Sequence, residues 1–347
     1  MTPDCRPFLP IAAAALLCAA PAAAHEAWLL TPEEVYKLSL APVPALFFDR
    51  QALMLVALAA ALAVFAALLL AERAQPAATR VLRPLHDASP DFGPLALRLG
   101  LGLTIGLNAL GGLPRHGTAR WSEPTLFVPD MQLSLAPGWE WLAPAALTAA
   151  ALLLAGLAVR TAALGVIVLV LLGACAFPVD FLLYYAPHFA APALLLLHYG
   201  GGRFGLDAKL SGSRQARNAN ANAVWTTAQV LSGAGFALIA VCVKFLQPTL
   251  LIAILDHGGL SFFGLPQPWT ALFMMSIELL AGVLLAMGLL LRPVALFLIG
   301  AFTFFAIVLQ ESPLLHGNLY GLCVFLFLHG GRSPGVLRLR QPGAERA

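Results

Sequence analysis

Apolar residues in this chain come in long runs, not in the alternating or one-faced patterns of soluble strands and helices. Runs near the roughly 20 residues that cross a bilayer as a helix lie at 51–71, 94–112, 140–159, 162–182 and 187–200, then at 223–246, 268–291, 294–310 and 314–330. The pattern predicts an all-α polytopic membrane protein with nine transmembrane helices. An earlier, shorter run, FLPIAAAALLCAAPAAA at 8–24, follows Arg6 and closes on Ala22, Ala23 and Ala24. A short apolar stretch ending in small residues is the signature of a cleavable export signal.

Composition agrees with the pattern. Of 347 residues, 60% are hydrophobic and 11% charged, against roughly 25% charged in soluble domains. A soluble globular enzyme, a disordered chain and a coiled coil are excluded. Nucleic-acid binding is excluded too, because the net charge is only +3 and the basic residues are scattered. The five cysteines form no CxxC spacing, so neither a disulfide framework nor a zinc knuckle is indicated.

The few charges orient the helices. Arg73, Arg80 and Arg83 fall in 72–93, Arg160 between two runs, and Arg203, Lys209, Arg214 and Arg217 in 201–222; Arg292 and the arginines after 331 continue the set. By the positive-inside rule these segments face the cytoplasm. An odd number of helices then puts the N-terminus outside and the C-terminus inside, in agreement with an export signal.

The chain also repeats itself. LLLAGLAVRTAAL at 152–164 parallels LLAMGLLLRPVAL at 284–296, and HYGGGR at 198–203 parallels HGGR at 329–332. Two four-helix units running in the same direction are implied. The expected organisation is a signal peptide (1–24), an exported segment (25–50), an extra helix with a cytoplasmic loop (51–93), unit 1 (94–210), a polar linker (211–222), unit 2 (223–335) and a cytoplasmic tail (336–347). Arg98, early in its run, is expected to snorkel to the headgroups.

Unit 2, with IELLAGVLLAMGLLLRPVAL followed by HGNLYGLCVFLFLHGGR, resembles the DoxX-like family of small four-helix bacterial membrane proteins. Unit 1 resembles it less closely. The resemblance implies a quinone-linked redox setting, as a subunit or accessory of a respiratory or sulfur-oxidising system. The chain shows no haem pair, flavin motif, Fe–S cysteine set or nucleophile arrangement of its own, so any oxidoreductase activity is expected to belong to an assembly.

Ionisable groups at membrane depth are costly and point to function. Glu278 stands 14 residues before Arg292, about 21 Å along a helix. Lys244, Glu311, His316 and Tyr320 are expected at similar depth. A carboxylic acid, an imidazole and a phenol suit proton exchange with a quinone headgroup, so Glu278, His316 and Tyr320 are the candidate site. The alternative is that Glu278 pairs with Lys244 and only fixes packing. In unit 1 the position matching Glu278 is Ala146, and Asp180 with His188 forms a candidate second pocket.

Two other classes of function compete. Cleavage after Ala24 would leave His25 as the first residue, whose α-amine and imidazole together chelate copper; His116 and His257, also expected outside, are further candidate metal ligands. The third class is a non-catalytic membrane assembly factor. N-terminal mass spectrometry of the purified mature protein is expected to find His25 first; an intact Met1 would refute cleavage.

Overall fold

The computed structural model describes residues 30, 32–111, 123–177, 179–211, 221–262, 264–309 and 312–330. Among them the chain is helical, with one isolated bridge between Thr125 and Gln132. The helices are α1 (Pro32–Ser39), α2 (Arg50–Leu110), α3 (Leu142–Ala155), α4 (Val159–Ala176), α5 (Val179–Tyr184), α6 (Ala186–Tyr199) and α7 (Leu206–Ser211). They are followed by α8 (Ala221–Leu238), α9 (Pro248–His257), α10 (Gln267–Met287), α11 (Leu291–Val308) and α12 (Gly317–His329). Short 3-10 turns cover Ala45–Phe48, Leu133–Leu135 and Pro313–His316, and a π segment, Ile239–Phe245, extends α8.

By length and composition, six stretches are able to cross a membrane: Arg50–Ala74, Asp87–Leu110, Val159–Ala176, Asn222–Phe245, Gln267–Met287 and Leu291–Val308. These account for six of the nine expected spans. Three of the predicted helices, α3, α6 and α12, have only 13 or 14 residues, about 20 Å. The run 162–182 also breaks, because Phe177 is extended and ends α4, leaving α5 separate.

The expected cytoplasmic loop 72–93 is helical as well, joining the first two runs into one element of 61 residues. Polar residues there are spaced for a helix: Arg83 reaches Asp87 four residues on, at 3.9 Å. Pro84 and Pro90 lie in this stretch, the residue type at which helix axes kink. The half before it, Arg50–Ala74, is almost wholly exposed, whereas Asp87–Leu110 is mostly buried.

Two tight turns define one end of the bundle. Gly156 (φ 67°) and Ala158 (φ 47°) join α3 to α4, and Gly288 (φ 71°) and Leu290 (φ 52°) join α10 to α11. Each turn leads to an arginine that satisfies the C-terminal carbonyls of a later helix. Arg160 Nη2 donates to His198 O at 3.2 Å, and Arg292 donates from Nε to Phe327 O at 2.8 Å and from Nη2 to Leu328 O at 3.2 Å. Cations at helix C-termini also meet the negative end of the dipole. Arg98 behaves differently from its expected snorkelling: it is 2% exposed and directs Nη1 at Leu153 O and Leu154 O, 3.3 and 3.4 Å away.

The helices interlock across the chain. The second half of α2 packs on α3 and, most extensively, on α12; α6 packs on α8, and α8 on α10. Glycines permit these approaches. A Cβ at Gly100 would lie 2.2 Å from Gly317 O, and one at Gly233 would lie 2.3 Å from Gly282 O. Small residues at such crossings are what holds helices together where surrounding lipid removes the hydrophobic drive. Gly233→Ala is expected to destabilise the protein by about 1–3 kcal/mol through overpacking. Gly165→Ala, where the added Cβ meets nothing within 4 Å, is expected to be neutral or slightly stabilising. Thermal unfolding of the two variants in one detergent compares them.

Candidate functional site

The opposite end of the bundle holds the loop 123–141 and α9, and here the two halves of the chain differ. In the first half the backbone of the loop doubles back, with Leu126 N donating to Met131 O and Leu133 N to Pro124 O. That drives Leu126 and Phe127, both fully buried, among α4, α5 and α6. Phe127 stacks on Phe189 at 4.5 Å and on Phe181 at 6.0 Å, and Ala146 is buried nearby in the same core. A polar ladder anchors the loop: Thr125 Oγ1 donates to Asn108 Oδ1, and Asn108 Nδ2 to Thr104 O.

In the second half a cavity of about 780 Å³ remains, walled by α6, α8, α10, α11 and the start of α12 and capped by α9 with Leu260, Phe262 and Leu265 of the segment that follows it. Nearly all of its wall is apolar. The polar exceptions are Tyr185, His188, Lys244, Glu278, His316 and Asn318.

Lys244 and Glu278 form an ion pair with side chains about one-fifth exposed. Lys244 belongs to the π segment that ends α8; a π turn inserts an extra residue and re-aims the side chains beyond it, and such segments recur at functional sites. The segment stops where Gln247 leaves helical geometry before Pro248. The expected alternative role for Glu278, pairing with Lys244, is thus present, and the pair lines the cavity as well.

His316 closes a 3-10 turn ahead of α12, with its ring parallel to that of Phe302 at 5.8 Å and Lys244 within electrostatic reach. Tyr320 is not in the cavity wall. Its hydroxyl pairs with Thr303 Oγ1 at 3.1 Å and its ring meets the edge of Phe302. Of the expected trio, Glu278 and His316 share the cavity, and the aromatic ring of Phe302 stands beside Tyr320.

His188, assigned from sequence to a separate second pocket, lies in this same cavity. The reason is tertiary: α6 packs on α8, and Gly235 leaves room for the imidazole, since a Cβ there would come within 2.8 Å of His188 Cε1. His188 is 3% exposed; its ring nitrogens bond to no other side chain, and the backbone of Gly235 is a polar group that its imidazole meets. Its backbone carbonyl accepts from Asn318 Nδ2 at 3.1 Å, which ties α6 to the start of α12.

Other candidates are not gathered here. The side chain of Asp180 and the whole of Glu311, His25 and His116 lie outside the described residues. His257 is exposed at the end of α9. Among the described residues no group of three or more His, Cys, Asp or Glu side chains is placed to hold a metal ion. Sequence reading missed the role of His188, Phe236 and Phe302 as walls of one cavity; no local pattern marks residues that meet from such distant positions.

No family model, curated protein or solved structure matches this chain.

The ion pair itself is open to measurement. Removing one partner leaves a partly buried charge alone, so Lys244→Met and Glu278→Leu are each expected to cost about 3 kcal/mol. The double variant is expected to recover most of that loss in a double-mutant cycle by thermal unfolding.

Proposed function

We propose that this chain is a DoxX-like protein of the bacterial inner membrane that binds a quinone, as a subunit or accessory of a respiratory or sulfur-oxidising redox system. One observation carries the reading: a largely apolar cavity of about 780 Å³ onto which a buried imidazole, a second imidazole and a Lys–Glu pair converge. Small-molecule sites are typically apolar cavities of roughly 300–1,000 Å³ with a few convergent polar groups. A quinone ring has two carbonyl acceptors on a flat apolar body. An N–H of His188 is suited to donate to one carbonyl and the Lys244 ammonium to another, while Phe236 and Phe302 supply flat walls. Glu278 and His316 are the groups able to hold protons beside it.

The tandem-repeat part of the proposal is supported by spacing. Gly156 and Gly288, Ala158 and Leu290, and Arg160 and Arg292 occupy matching places in the two turns, each pair 132 residues apart. The contact from Arg98 to Leu154 O has a counterpart from Gln229 Nε2 to Ala286 O at 3.1 Å. In this reading the turn end faces the cytoplasm, as the arginines direct, and the cavity opens in the half of the membrane nearer the periplasm.

Chromatography of organic extracts from the purified protein is expected to find about one quinone per chain. His188→Leu and Glu278→Gln are each expected to lower occupancy about tenfold, the equivalent of losing one good hydrogen bond to a buried polar group. Quinone-free wild-type protein, or full occupancy in His188→Leu, would overturn the proposal.

A further inference from the structure

The walls of the cavity are unequal. Between α8 and α10 the backbones touch through Gly233 and Gly282, and that seam is shut. Toward the loop end, α9 covers the space with Leu251 and Leu255, both buried. The seam between α10 and α11 is different. These helices are consecutive in the chain yet pack sparsely beyond their shared turn. Ile277, Phe297 and Phe304 line the cavity and are nevertheless 44%, 49% and 42% exposed. Gly300, also in the cavity wall, has nothing within 4 Å of where its Cβ would stand.

Side chains that face both an internal cavity and the lipid-facing surface mark an opening. In a helix bundle of this composition that surface meets hydrocarbon, so whatever passes the opening is itself lipid-soluble. His188, 3% exposed on α6, sits at the inner end of the path, and the Lys244–Glu278 pair, about one-fifth exposed, lines the same cavity. A ligand oriented by such a site places its polar head inward at His188 and leaves its apolar part in the seam.

We infer that the cavity admits its ligand sideways from the bilayer, between α10 and α11, and that the ligand is a long-tailed amphiphile whose chain stays in that seam beside Gly300. This rests on the quinone reading and specifies it: the bound quinone is held by its isoprenoid tail as well as its ring. Gly300 is the position that sets the width of the seam, and Phe304 is the side chain that lines it. Neither belongs to the polar cluster, so changes there separate tail passage from headgroup binding.

The test uses the full chain in lipid vesicles doped with ubiquinone bearing either one or eight isoprene units, followed by rapid purification and measurement of quinone per protein. Wild-type protein is expected to retain both. Gly300→Trp fills the seam and is expected to lower retention of the eight-unit quinone at least about tenfold while leaving the one-unit quinone within about twofold, a difference set by the steric conflict with the tail alone. Phe304→Ala widens the seam and is expected to speed exchange of the eight-unit quinone about fivefold. Equal retention of the eight-unit quinone by Gly300→Trp and wild type overturns the side opening and leaves the quinone reading standing. If Gly300→Trp loses both quinones through misfolding, the Phe304→Ala exchange rate decides, and an unchanged rate overturns the inference. Retention of neither quinone by wild-type protein removes the quinone reading and this inference with it.

Discussion

How closely two helix backbones approach governs the rest of this structure. Where Gly233 meets Gly282 and Gly100 meets Gly317, the separation leaves no room for a methyl group. Gly321 extends the second crossing, since a Cβ there would fall 2.5 Å from Ala96 O. In a lipid environment an exposed leucine loses nothing by staying exposed, so packing of small residues and a few hydrogen bonds must hold the helices. The seam between α10 and α11, lacking such a crossing in its outer part, is where the bundle stays apart. Cavity and opening are thus the consequence of where close contact ends.

The same solvent imposes a second constraint. Inside hydrocarbon each polar group must find its partner within the protein, and most do so on free helix ends. Arg98 reaches the last carbonyls of α3, Arg160 those of α6, Arg292 those of α12, and Gln229 that of Ala286 near the end of α10. Thr104 joins two helices at once, donating to Leu314 O and accepting from Asn318 N at 2.9 Å. His188 is buried in the cavity wall, with its imidazole against the backbone of Gly235 and no other side chain bonded to either ring nitrogen. Its carbonyl accepts from Asn318, and its ring rests against Gly235 and the edge of Phe236.

The two halves of the molecule use related turns for different ends. In the first, Phe127 and Leu126 occupy the interior between the helices. In the second, α9 lies over the space without entering it, and the Lys244–Glu278 pair supplies charge. The plugged half and the open half meet at one cavity, to whose wall the plugged half contributes His188 and Tyr185.

The amino-acid order by itself determined which segments are helical and apolar, because hydropathy is local and a run of about 20 residues declares its own environment. It also located the tight turns at Arg160 and Arg292 and singled out Glu278, Lys244 and His316, since a charged or ionisable residue in an apolar run is visible without knowing its neighbours. It misjudged 72–93, where basic residues between two apolar runs suggested a loop but the segment is helical, and Arg98, whose position near a run's start hid a partner 55 residues away. Only the tertiary structure decided that His188 joins the Glu278 cavity, that Tyr320 turns to Thr303, that Phe127 fills the other half and that α10 and α11 part beside Gly300. Each of those depends on which helix faces which, and that is settled by the fit of small residues between segments far apart in the chain, a property no single apolar run contains.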